Sequence, residues 1–139
     1  HSSGGLPEVM VSLPTTSPLR SVSDVESCLE QFSKGGCDVV VTVSEAHRNP
    51  YFNMVKDKSD GTVTLVMEYS QVSRRQDAPI IRDLATVCYV ASPEFVLSHN
   101  SIFEGRVKAV NVPRERAIDI DSLLDFQIAE FMLNSRKEI

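Results

Sequence analysis

Asp38-Val39-Val40-Val41-Thr42-Val43 (DVVVTV) is a nearly unbroken β-branched run, the mark of a strand covered on both faces. Just upstream, Gly35-Gly36 close a segment in which Val25, Cys28, Leu29 and Phe32 recur at helical spacing, so a helix ends there with one apolar face. Ser23 with Glu26 three residues on fits a capping box that would start it. Further upstream, Glu8 to Leu13 (EVMVSL) reads as a buried strand, and Pro14-Thr15-Thr16-Ser17-Pro18 breaks it into a loop. Strand, helix and strand in this order make one βαβ unit and predict a parallel sheet.

Downstream the pattern changes. Residues 49–55 (NPYFNMV) and 62–66 (TVTLV) read as short strands around a turn at Ser59-Asp60-Gly61, an antiparallel excursion from the main sheet. Thr86 to Ala91 (TVCYVA) returns to a buried strand, and Ser92 caps a short helix that has Pro93 at its first position. Val107 to Val112 is a further strand. A final helix begins near Ser122, with Leu124, Ile128, Phe131 and Met132 on its expected inner face.

The 139 residues suit one domain with a real core. A net charge of -5 gives no reason to expect nucleic acid or an anionic membrane as a partner. No apolar run approaches the ~18 residues of a membrane span, and the start has no signal-peptide pattern. Cys28, Cys37 and Cys88 lack metal spacing and read as buried thiols of a reducing, cytoplasmic compartment. His47 and His99 have no second histidine at a useful spacing, and no glycine-rich phosphate loop, nucleophile elbow or HExxH occurs.

Asp119-Ile120-Asp121 is the most informative triplet. In an extended segment residues two apart share a face, so the carboxylates point together while Ile118 and Ile120 point inward. At the C-terminal edge of a parallel sheet, where open α/β sheets bind ligands, such a pair can hold Mg²⁺. The alternative is that Asp121 caps the last helix and Asp119 is solvated. Arg74-Arg75 in a polar loop can grip a carboxylate or phosphate, or be ordinary surface charge. Arg114-Glu115-Arg116 is expected to make local ion pairs.

These segments coincide in order and spacing with one family. Thr16-Ser17-Pro18-Leu19-Arg20, His47 to Val55 (HRNPYFNMV), Arg74 to Pro79 (RRQDAP), Tyr89-Val90, Ser101 to Gly105 (SIFEG) and Ala117 to Asp121 (AIDID) resemble, in register, segments of CMP-sialic acid synthetases. The resemblance runs from about Glu8 to Leu133. It implies an α/β, Rossmann-like nucleotidyltransferase with a mostly parallel sheet and an antiparallel dimerisation arm over residues 46–79. It implies transfer of CMP from CTP to an acidic nine-carbon sugar in a cytoplasmic homodimer. Asp119 and Asp121 would hold Mg²⁺ and act on the sugar hydroxyl. Tyr89, Phe103 and Ser17 would contact substrate, and Arg75 would reach a neighbouring subunit's site. Three departures accompany it. The family's N-terminal, CTP-binding glycine loop has no counterpart among these residues, so the chain reads as a partial domain, or else as a non-catalytic module derived from the family. Pro14 stands where the family has glutamine, and Ala85-Thr86-Val87 stands for its Asn-Gly-Ala. Both changes point to a sugar other than N-acetylneuraminate.

Overall fold

The computed structural model describes residue 5, residues 7–67 and residues 78–135. Among these the elements run β1 (Met10–Ser12), α1 (Val22–Ser33), β2 (Val39–Glu45), β3 (Val55–Asp57), β4 (Val63–Leu65), β5 (Arg82–Ala91), α2 (Pro93–Ser98), β6 (Val107–Asn111) and α3 (Leu123–Ser135), with 3-10 turns at Ile102–Glu104 and Arg114–Arg116. The chain divides into two units. One takes the residues up to Ser44 and from Leu84 onward, the other Glu45–Asp83.

In the first unit the strand order is β1-β5-β2-β6. β6 pairs parallel with β2, Val39 facing Val107 and Val43 facing Asn111. β1 pairs antiparallel with β5, Met10 facing Ala91 and Ser12 facing Tyr89. Ser92 N–H donates to the Asp38 carbonyl and Cys88 N–H to the Thr42 hydroxyl, so β5 also runs against β2. The sheet is therefore mixed, which corrects the expectation of a mostly parallel one. β1, β2 and β6 share a direction, but β5 inserts between the two strands that α1 connects. Order along the chain suggested that β1 and β2 were neighbours, and the later strand took the place between them.

β2 is buried at six of its seven residues, because each face meets a different layer. Val40 packs with Cys28, Cys88, Val90 and Val112 on the α1 side. Val39, Val41 and Val43 pack with Ala91 and Phe95 on the other. β1 is not the buried strand its composition suggested. Its three residues are all exposed, since β5 is its one neighbour in the sheet.

The caps differ in part from expectation. α1 begins two residues early, at Ser21 rather than Ser23, because Asp24 at the third helical position accepts from the Ser21 N–H (2.8 Å) and hydroxyl (2.9 Å). Gly35 and Gly36 end it with φ of 68° and 72°, a region costly for residues with a Cβ. Ser92 caps α2 through the Phe95 N–H, with Pro93 in the first turn. Apolar residues lie on several sides of α3: of those expected inside, Leu124, Ile128 and Phe131 are exposed and Met132 is half-buried, while Ala129 is its buried residue. No helix among the described residues is long and apolar enough to cross a membrane.

Gly105 enters β6 through a gap that admits no side chain. A Cβ there would lie 2.5 Å from the Phe95 ring and 3.1 Å from Asp38 Cβ. Gly105→Ala is expected to cost about 1–3 kcal/mol through overpacking, read as a fall in the denaturant midpoint at unchanged slope. An unchanged midpoint would show that the Phe95 ring moves freely.

In the second unit β3 and β4 form an antiparallel hairpin, Val55 facing Leu65 and Asp57 facing Val63. Its turn uses Gly61 at φ 82°, with Thr62 N–H and Oγ1 both donating to Asp60 Oδ1. The strand expected from residue 49 starts only at Val55. Residues 49–53 turn instead, with Asn49 Oδ1 accepting from Tyr51 N–H and Asn53 Oδ1 from Asn49 N–H, and side-chain amides of this kind replace the sheet ladder.

Candidate functional site

The C-terminal ends of β1 and β6 lead into the two loops that carry the predicted residues. The first, residues 13–20, is bonded onto itself. Arg20 donates from Nε to the Ser17 carbonyl at 3.0 Å and from Nη2 to the Pro14 carbonyl. Its guanidinium therefore holds the loop's shape. The second, residues 112–121, is tacked to the first where Ile120 N–H donates to the Thr16 carbonyl at 2.9 Å. Ile120 then faces Leu19, Phe126 and Ala129.

That alternation turns the residue before Ile120 the other way. Asp119 is half-buried, and its Oδ1 is buried with no hydrogen-bond partner. A carboxylate oxygen in that position is costly unless a cation or donor meets it. Tyr89 lies within its electrostatic reach: burial, and then the Asp119 carboxylate, push the Tyr89 phenol above its ordinary value. Asp121 is exposed. It does not cap α3, because Ser122 and Asp125 do. Asp125 Oδ2 accepts from Ser122 N–H (2.8 Å) and Oγ (2.6 Å), and Ser122 Oγ accepts from Asp125 N–H. These bonds hold the Asp125 carboxyl below the ordinary range. The Asp121 carboxylate has no hydrogen bond among the described residues.

β5 delivers Tyr89 through an irregularity. Ala85 and Val87 face the α1 layer, and so do Cys88 and Val90, so the burial parity slips by one between Val87 and Cys88, as at a β-bulge. The buried Thr42 hydroxyl fills the slip, donating to the Ala85 carbonyl at 2.7 Å and accepting from Cys88 N–H at 3.2 Å. The slip turns both Thr86 and Tyr89 away from α1, though they are three residues apart. Thr86 Oγ1 meets Ser17 Oγ at 2.7 Å.

Ser17 is thus fully buried and bonded to Thr86, its hydroxyl enclosed by the loop it sits in. Phe103 is exposed, in the 3-10 turn Ile102–Glu104. Beside Tyr89 opens a cavity of about 340 Å³ lined mainly by apolar groups, among them Met10, Val39, Ala91, Phe95, Val96 and Ile102. Arg75 lies outside the described residues. Cys28 and Cys88 are fully buried. The Cys88 contact and burial push the Cys28 thiol up.

Sequence reasoning missed one element of this region. Arg116, expected to pair locally, reaches back to Asp24 in a two-pronged ion pair, Nη2 to Oδ1 at 2.9 Å and Nε to Oδ2 at 3.0 Å. Asp24 is 4% exposed; burial alone would raise its pKa, but the bonds from Arg116 and Ser21 outweigh that and hold it below the ordinary 3.8. Two residues 92 apart in the chain leave no local signal for such a contact.

Among the described residues no group of three or more His, Cys, Asp and Glu converges as a metal cluster. Mg²⁺ does not need one, since it commonly takes one or two carboxylates and keeps water for the rest. The partnerless Asp119 oxygen and the unengaged Asp121 carboxylate fit that donor set.

No family model matches the chain. It is 30% identical over 129 residues to post-translational flagellin modification protein B of Campylobacter coli, covering 93% of this chain and 54% of that protein. It is 32% identical over 95 residues to the CMP-N,N'-diacetyllegionaminic acid synthase of Campylobacter jejuni, covering 68% of this chain and 40% of the synthase. It is 29% identical over 117 residues to an N-acylneuraminate cytidylyltransferase of Streptococcus agalactiae, 84% of this chain and 28% of that enzyme. The chain thus spans about half, or less, of the curated relatives it matches. It is homologous to members of the CMP-sugar synthetase and cytidylyltransferase family, and its mixed α/β sheet is consistent with a Rossmann-like nucleotidyltransferase.

Proposed function

From this homology we propose that the chain is the sugar- and metal-binding portion of a cytidylyltransferase that activates an acidic nine-carbon sugar with CTP, releasing pyrophosphate. The observation that carries the reading is the partnerless buried oxygen of Asp119, next to the unengaged Asp121, on a loop that meets the 13–20 loop. In this reading Asp119 and Asp121 hold Mg²⁺, whose charge would stabilise the developing phosphoryl anion. Asp121, exposed, is the residue placed to orient the attacking sugar hydroxyl. Tyr89 and Phe103 bound the sugar, and Arg75 supplies a cation for its carboxylate. The second reading is a non-catalytic sugar-binding or assembly module derived from the same family.

The preferred sugar is proposed to be a deoxygenated, diamino relative of N-acetylneuraminate. Pro14 offers no side-chain hydrogen bond, and the Thr86 hydroxyl is taken up by Ser17. The cavity beside Tyr89 is lined mainly by apolar groups, which suits methyl and N-acyl substituents better than hydroxyls. A relative of the chain carries diacetyllegionaminic acid in its name. One hydrogen bond lost to each hydroxylated position, at roughly 0.5–1.5 kcal/mol, amounts to about tenfold in preference over two positions. The experiment is calorimetric titration of the chain, with Mg²⁺ present, by N-acetylneuraminate and by its deoxy, diamino relatives, with CMP-sugar formation assayed in parallel. Binding of the deoxy sugar about tenfold tighter is expected. Preference for N-acetylneuraminate overturns the sugar assignment, binding of neither overturns the functional reading, and sugar binding that persists in a complete protein without turnover selects the non-catalytic module.

Residues 46–79 are proposed to serve as a dimerisation arm. Met54, Val55, Val63 and Met67 are exposed on it, and a two-stranded hairpin is marginal alone. Sedimentation at rising concentration should reveal a dimer that Val55→Asp/Val63→Asp dissociates. A chain that stays monomeric rejects the arm.

A further inference from the structure

Resting on the reading of Asp119 and Asp121 as the metal-binding pair, we propose that the Asp24–Arg116 ion pair is the device that positions them. Residues 112–121 leave the sheet after β6 and are held at three points before α3. Val112 N–H donates to the Val43 carbonyl at 2.8 Å and Ile120 N–H to the Thr16 carbonyl at 2.9 Å. Between these lies Arg116, whose side chain reaches Asp24, three residues before Asp119. The 3-10 turn makes its position matter, because Arg116 N–H is bonded to the Pro113 carbonyl and Ala117 N–H to the Arg114 carbonyl. Arg116 therefore cannot shift without moving the backbone that leads to Asp119.

The other end of the pair is equally fixed. Asp24 accepts from Ser21 N–H and hydroxyl, and Ser21 directly follows the loop that carries Thr16 and Ser17. One buried carboxylate thus ties together the two loops on which the site stands. Asp119 has no bond at Oδ1 to orient it, so its place is set by its backbone, and that backbone is set by the anchors on either side. The two-pronged geometry fixes orientation as well as distance, which a lysine ammonium does not. Asp24 and Arg116 touch no substrate in this scheme; they are positioning residues.

The test uses Arg116→Lys in the full 139-residue chain, with Asp24→Asn as the second variant should the first not fold. Two readouts are taken: amide hydrogen exchange at Ile120 against that at core Val41 and Val90, and Mn²⁺ affinity by paramagnetic resonance. Ile120 exchange is expected to accelerate about tenfold beyond any change at the core amides, and Mn²⁺ binding to weaken about tenfold, in the range for partners that orient ligands. Ile120 changing only in step with Val41 and Val90 overturns the proposal. So does Mn²⁺ affinity within about twofold of the parent. If the parent binds no Mn²⁺ that Asp119→Asn abolishes, the metal reading fails by itself, and Ile120 exchange alone decides whether the ion pair positions the segment.

Discussion

Asp121→Ala is expected, under the proposed function, to lower nucleotidyl transfer by about 10²–10³-fold, the range for removing one preorganised electrostatic group from a site of charge development. Its fold stability should stay within about 0.5 kcal/mol. These two expectations come from the same observation. The Asp121 side chain is exposed, and the capping work that an acid before a helix would ordinarily do is performed by Ser122 and Asp125. Stability has no use for this carboxylate, so its removal should register in chemistry alone. Asp125→Ala is the contrasting control: it removes the cap of α3, with a cost of about 1 kcal/mol and a smaller effect on rate. Turnover of Asp121→Ala within about threefold of the parent would remove it from the catalytic pair, since a group that stabilises developing charge is worth far more.

Much of the scaffold was legible because it is local. The β-branched run of β2, the apolar stripe of α1 and the Ser92-Pro93 start of α2 each state their structure within a dozen residues. Asp119 and Asp121 stood out for the same reason, as two acids at a strand-like spacing before a helix. What could not be read is non-local. The cap of α1 moved from Ser23 to Ser21 because Asp24 was recruited by Arg116 from 92 residues away, and two serines two positions apart gave propensity no way to choose. The burial of Ser17 had no local signal either: a slip in β5 brings Thr86 onto it. The sidedness of α3 failed for another reason. A helix with apolar residues on several sides has no single stripe to show which side is buried, and Ala129, its smallest apolar residue, is the one that packs closely.

The second large effect is on stability and its pH dependence. Asp24→Ala is expected to cost about 3–5 kcal/mol at neutral pH, the range for breaking a buried pair. The lower end applies because Arg116 retains 28% side-chain exposure and can turn partly to water. The folded Asp24 titrates below its ordinary 3.8 because the Arg116 and Ser21 bonds outweigh burial. A depressed carboxylate stabilises fully above the unfolded pKa of about 3.9 and loses that contribution as pH falls through the folded value. The parent should therefore lose stability below about pH 4, and a variant with no acid at position 24 should lose less over that interval. Part of the remaining slope belongs to Glu30, Asp38, Asp60 and Asp125, which are also depressed by hydrogen bonds but are exposed to solvent screening. Urea unfolding of the parent and of Asp24→Asn across this interval measures the difference. Asp24→Asn keeps an oxygen for the Ser21 cap and removes the titrating charge, so it isolates the ionic part. Parallel curves, offset but equal in slope below about pH 4, would mean that Asp24 titrates alike in folded and unfolded chains and that the geometry of the pair does not depress it.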